Sequence, residues 1–349
     1  MKKKRSFLFP VILLCLVGIS LYLFFGKSKT SAIDHADARN FKYPDTASIT
    51  KIFIADKEGN KAAVERSKSG WMVNSKYPCR AEAILNLLEV IKNVEVSMPV
   101  PKEARNTVIK YLASSALKVE IYKGDELVKQ YYVGHETDDS EGSYMLLTDV
   151  ESGKNYEEPF ACFIPGFKGF LQPRYIAKEN EWRDRVVVNY IPPQMKSIQV
   201  RNYEAPADSS FSIELVNSGT FRLRNGSGKE LPFDGSKMRQ YLMYFQNISY
   251  EVLMTGRNKK LQDSLLAVKP FFTIDVTTTN GFKTDTYRFF RKAFTGEVNP
   301  ELGVKYDYDP DRLYLNFDNG KEWALVQYFV FGKLLAGSNY FAPTSSVKK

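Results

Sequence analysis

Histidine is almost missing from this chain: its 349 residues include two, His35 and, in the polar stretch Gly134–Asp139 expected to be a loop, His135. That scarcity excludes a histidine-based metal centre or acid–base cluster. Serine is plentiful, yet no Gly-x-Ser-x-Gly elbow occurs, and Gly226-Ser227-Gly228 has neither a preceding core strand nor a histidine partner. Closely spaced carboxylates in Asp307-Tyr-Asp-Pro-Asp311 invite a calcium reading, but Arg312 and Asp318 stand where an EF-hand needs Gly and Glu. That stretch is expected to be a polar turn before the strand Leu313–Leu315, and Glu136–Glu141 a solvated hairpin tip. The triplet Asn247-Ile-Ser249 sits on an apolar helical stretch and is set aside as a glycosylation site. The residues thus offer no catalytic, cofactor-binding or metal-binding set, and no enzyme activity is expected.

Long uncharged runs are also rare, and there is one. Phe7–Phe25 carries no charge and follows Lys2, Lys3, Lys4 and Arg5. Nineteen residues at helical rise span about 28 Å, close to the hydrocarbon thickness of roughly 30 Å, and the basic cluster should stay cytoplasmic. Signal peptides have shorter apolar cores ending at a small-x-small site; here the candidate Thr30-Ser31-Ala32 lies behind Lys27 and Lys29. An uncleaved anchor is therefore expected, with a cleaved signal, or lipidation at Cys15 behind Leu13-Leu14, as the alternatives. The formal charge of +9 has the same origin, because six of the basic residues precede position 31, leaving 43 basic against 40 acidic residues beyond. A nearly neutral body gives no footprint for nucleic acid.

Beyond the membrane the apolar pattern runs twice. Ile49–Ala55 and Met195–Val200 read as opening strands, and each is followed by an aromatic-led strand, Gly70-Trp71-Met-Val73 or Gly219-Thr-Phe221-Arg-Leu223. Ala81, Ile84, Leu85, Leu87, Leu88 and Ile91 then recur near helical spacing, as do Met238, Tyr241, Leu242, Phe245 and Ile248. Shorter helical segments follow at Lys102–Leu112 and Lys259–Leu266. Both halves return to strands, Leu117–Tyr122 with Glu126–Val133 and Phe271–Val276 with Thr284–Phe290, across Lys123-Gly-Asp125 and Asn280-Gly281 turns. Tyr144–Leu147 with Phe160–Leu171 matches Leu313–Leu315 with Ala324–Leu335.

The expected fold class is α+β: an N-terminal transmembrane helix, then two similar repeats of antiparallel sheet with helices packed on one face. The expected boundaries are a basic tail at 1–6, an anchor at 7–25, a tether at 26–46, repeats at 47–190 and 191–340, and a disordered tail at 341–349. Cys79 and Cys162 both follow the span, and either a disulfide or two separate buried thiols is compatible with their positions.

The layout of anchor, strand, Gly70-Trp-Met-Val-Asn74, amphipathic helix and returning hairpin resembles the bacterial domain-of-unknown-function family 4340. Phe163–Tyr175, Trp182-Arg-Asp184 and Val326–Phe331 resemble its Bacteroidetes version, and the resemblance covers roughly residues 47–337. It implies an envelope protein without an established activity. Some relatives resemble accessory components of gliding-motility-type ABC transporters, which hints at context and transfers no residue role.

The segment Phe163–Arg185 concentrates aromatics among arginines, the composition of interface hot spots. Phe167, Phe170, Arg174, Tyr175, Trp182 and Arg183 are the candidate partner-binding surface. The other reading is that this segment closes the core of repeat one at its junction with repeat two. The expected protein is a single-pass inner-membrane protein with a periplasmic binding or scaffold module, its partners being envelope or membrane proteins. The alternative is an accessory subunit of an ABC-type transporter, and an envelope enzyme without a recognisable motif is weaker.

Overall fold

The structure is a computed structural model that describes residues 37–217, 219–296 and 306–343. The expected anchor, the basic tail and most of the tether lie outside these residues. Among the described residues no helix is long and apolar enough to cross a membrane. The fold is mixed α+β, mostly antiparallel sheet with a few helices, and the chain divides into two units between Asp184 and Arg185. The expected boundary after residue 190 falls six residues late, because Val186–Val188 pairs with Ile248–Ser249 inside the second unit.

In the first unit, β1 (Lys51–Ala55), β2 (Lys61–Ser67) and β3 (Gly70–Val73) form a meander, with the short β4 (Tyr77–Pro78) at its edge. Helix α1 (Ala81–Asn93) and strand β5 (Glu95–Pro99) lead to helix α2 (Lys102–Ser115). A second meander, β6 (Leu117–Lys123), β7 (Glu126–Glu136), β8 (Ser143–Thr148) and β9 (Phe160–Phe163), completes a nine-stranded sheet. Its order is β4-β3-β2-β1-β6-β7-β8-β9-β5. A one-turn helix, α3 (Glu179–Trp182), ends the unit.

The second unit begins with β10 (Val186–Val188) and repeats the meander as β11 (Met195–Asn202), β12 (Phe211–Asn217) and β13 (Thr220–Asn225). Helix α4 (Gly235–Met243) follows, then β14 (Ile248–Ser249), β15 (Val252–Leu253) and α5 (Lys259–Leu266). Strands β16 (Phe272–Thr278), β17 (Thr284–Ala293), β18 (Tyr308–Phe317) and β19 (Glu322–Gln327), with helix α6 (Tyr328–Phe331), complete it. The sheet order is β13-β12-β11-β16-β17-β18-β19-β15, the same as in the first unit apart from its edge strand β4.

The register agrees residue by residue. Ile52 lies between Val64 and Ile121, and Ile198 lies between Ile213 and Val276. Val119 faces Tyr131 where Ile274 faces Tyr287. These inward residues alternate with half-exposed ones because the pleat turns every second side chain to the same face. Helix α1 buries Ala83, Ile84, Leu87, Val90 and Ile91 at helical spacing, whereas Leu85, expected on that face, is 66% exposed. The chain enters both units alike: Tyr43 N–H donates to Ile91 O in α1, and Tyr190 N–H donates to Phe245 O just past the end of α4.

Two differences from the expected pattern have local causes. Strand β18 starts at Tyr308 instead of Leu313, because Asp309 is held by Lys292 at 2.8 Å and the pairing of β17 with β18 continues past an irregularity at Arg291/Ala293. His135 lies in β7 and not in a loop, with its ring edge-on to Tyr111 and Tyr144 at 4.9 and 5.7 Å.

Each unit has its own apolar core: one built on Ile52, Leu87, Val119 and Tyr131, the other on Ile198, Leu242, Ile274 and Phe289. Residues 37–184 and 185–343, expressed separately, should each unfold in a single cooperative urea transition. A fragment lacking near-UV circular dichroism and a transition would show that its core depends on the other.

Candidate functional site: the hairpin–helix corner

Of the six candidate surface residues, the structure puts two in the core. Tyr175 is 2% exposed and Trp182 0%. Tyr175 O–H meets Tyr131 O–H at 3.1 Å, and the Trp182 indole N–H donates to Ile176 O at 2.8 Å. Burial pushes the phenols of Tyr131 and Tyr175 up, so both are neutral at ordinary pH. The Trp182 carbonyl accepts from Arg80 N–H, which begins α1, as the Phe341 carbonyl accepts from Asp234 N–H, which begins α4. Phe341 is also fully buried. Phe163–Asp184 is thus the closing segment of the first unit, and Tyr175 and Trp182 are withdrawn as surface residues.

The other four keep some accessible surface. The Arg174 guanidinium lies 3.8 Å from the Phe167 ring centroid, and that of Arg183 lies 3.6 Å from the Tyr77 centroid. Phe170 is 36% exposed. Phe167 lines a cleft of about 360 Å³ with Pro99, Tyr144, Lys168 and the Thr137–Gly142 turn. There, Asp139 accepts from Thr137 O–H and from Glu141 N–H, and those bonds hold its carboxyl below the usual range. The arginines are therefore stacked within their own unit, and the six residues do not converge on one patch.

A larger concavity lies in the second unit. A groove of about 800 Å³ runs between α4 and the β12–β13 hairpin. Leu215 and Phe221 from the hairpin, Met238, Leu242 and Met243 from the helix, and Phe233 between them supply apolar walls; Pro192 and Pro193 complete them. Arg239 is the one charged side chain among the described lining residues. Volume and lining match those of small-molecule pockets.

The first unit shows what can happen at this corner. Trp71 faces Arg66 across β2–β3, the pairing that Phe221 makes with Leu215 across β12–β13. The Arg66 guanidinium stacks 4.6 Å from the Trp71 ring centroid. It donates from Nε to Ile49 O at 3.0 Å and from Nη2 to Thr46 O at 3.3 Å, in the 3₁₀ turn preceding β1. In the second unit Pro192–Gln194 forms the corresponding turn before β11. Leu215 has no donor to reach its carbonyls, so that strap is missing. On the helix the exchange runs the other way: with Ile84 matched to Met238, exposed Leu85 corresponds to Arg239.

Helix α4 is capped by its own sequence. Asp234 accepts from Ser236 N–H at 2.7 Å and Lys237 N–H at 3.2 Å, which satisfies the first turn. Gly226 is set by packing, since a Cβ there would lie 2.1 Å from Ala207 O. This accounts for the Gly226-Ser227-Gly228 motif without chemistry. The sequence reading did not find the groove. Its signal is the Arg66/Leu215 exchange opposite the two aligned aromatics, visible only once the register is known.

Cys79 and Cys162 are free thiols. Burial pushes Cys79 up to about 12 and Cys162 well above its usual value. Cys162 faces Ser143 where Val326 faces Leu313, so it fills an apolar strand position. No family model matches the chain, and no curated protein or solved structure matches it significantly.

Trp182→Ala should destabilise the first unit by about 3–5 kcal/mol, and Phe170→Ala by less than about 1 kcal/mol, in urea titrations; equal effects would mean that Trp182 is not core. At pH 8 a thiol with its pKa near 12 is ionised in about one molecule in ten thousand. Iodoacetamide followed by peptide mapping should therefore modify Cys79 and Cys162 slowly in native protein and promptly in urea.

Proposed function

We propose that this chain is a single-pass envelope protein whose two repeats form a binding module on the far side of the inner membrane, with the groove of the second unit as its binding surface. The groove carries this reading: it is large, apolar-walled and lacks the strap that its counterpart position has. The membrane placement is supported by the uncharged run Phe7–Phe25 behind a basic cluster. Membership of the domain-of-unknown-function family 4340 is part of the same proposal and accords with an envelope role without catalysis.

Two measurements test this. A reporter active only outside the cytoplasm, fused after Lys349, should be active in intact cells; an inactive reporter would reverse the orientation. A photo-crosslinking residue at Met243, which is 54% exposed, should capture a partner or ligand that the same probe at Phe170 does not. Leu215→Arg should abolish that capture, and capture unchanged by this substitution would remove the groove from the account.

A further inference from the structure

Resting on the reading of the groove as a binding surface, we infer that its ligand is a single-chain amphipathic anion, an acyl or similarly apolar body carrying one acidic head. The apolar body lies between Phe221 on the hairpin and Leu242 and Met243 on the helix, and the head meets Arg239.

The lining argues for this class. A groove of about 800 Å³ with mainly apolar walls accepts a ligand of drug or single-chain lipid size. Each methylene taken out of water strengthens binding about fourfold, so a chain gains steadily along walls without polar demands. Arg239 then fixes the sign of the head. Its Nη2 donates to Ser236 Oγ at 3.2 Å, and among the described residues it has no ion pair. A guanidinium offers a planar fork of donors that fits a carboxylate or phosphate oxygen pair. Among the described residues that line the groove none is acidic.

The rest of the corner excludes the nearest alternatives. The N-terminus of α4 is not the anion site, because the Asp234 carboxylate already sits there and accepts from the N–H groups of Ser236 and Lys237. A cationic peptide side chain entering as Arg66 does in the first unit would share the groove with Arg239, where that unit has the neutral Leu85. The two units thus exchange a hairpin cation for a helix cation, and the space left beside the second one suits an anion. Lys237 is engaged with Ala342 O, and Lys196 with Leu215 O.

The test uses the full chain reconstituted in phosphatidylcholine nanodiscs, with diazirine-bearing palmitic acid and the matching diazirine hexadecanol as probes. The acid should label peptides containing Phe221 or Leu242–Met243 about tenfold more than the alcohol, the worth of one charge-assisted pair. Arg239→Gln should remove that preference, and Leu215→Arg should remove the labelling. Competition by free palmitate or by lysophosphatidylglycerol distinguishes a free acid from a single-chain membrane lipid as the source. Equal labelling by acid and alcohol, or labelling confined to other peptides, overturns the ligand class. If the probes fail while crosslinking from Met243 remains sensitive to Leu215→Arg, the groove still binds and only the ligand class falls. If Leu215→Arg changes neither readout, both fall.

Discussion

Each unit has to join its first hairpin to the helix and turn that flank it, and one cross-strand pair governs how this is done. In the first unit Arg66 stacks on Trp71 and ties the hairpin to the carbonyls of the preceding turn. A cation over an aromatic face contributes about 0.5–2 kcal/mol, and the two hydrogen bonds fix the side chain across the corner. In the second unit Leu215 and Phe221 keep the cross-strand pairing and lose the donors. The same backbone therefore supports a tied corner in one copy and a groove in the other.

The two copies also differ in how they finish. The first brings back a segment rich in aromatics whose Tyr175 and Trp182 are sealed by partners in their own core. The second brings back Phe331, Leu334 and Phe341 into its own core. Equivalent carbonyls, from Trp182 and Phe341, receive the N–H groups that open the helices. Aromatic density at the end of each repeat is thus a requirement of closure, since the last segment must cover the helix–sheet seam with large side chains.

Much of the fold was legible because period-two alternation survives translation into register. Ile52 with Ile198, Trp71 with Phe221, and Val119 with Ile274 fall at matching positions as the sequence pattern suggests. Edge strand β5 was not legible, since Glu95–Pro99 shows almost no buried residue and pairs through its backbone with β9. Helical spacing alone placed Leu85 inside, whereas the helix turns that residue to solvent. The candidate site was largely illegible. Aromatic and Arg composition cannot tell a hot spot from a closing segment, because both need the same residues and only burial separates them. The groove depends on Arg66 aligning with Leu215, a comparison that has meaning only after the strands are paired.

The central claim is that the residue opposite the hairpin aromatic decides whether the corner is tied or open. Its most direct test is a crystal structure of residues 37–343 carrying Arg66→Leu and Leu215→Arg together. The account predicts that the introduced guanidinium stacks on Phe221, donates to the carbonyls of the Pro192–Met195 turn and spans the groove, while the space beside Trp71 opens. A structure in which that guanidinium extends into solvent and the groove of the second unit keeps its volume would contradict it.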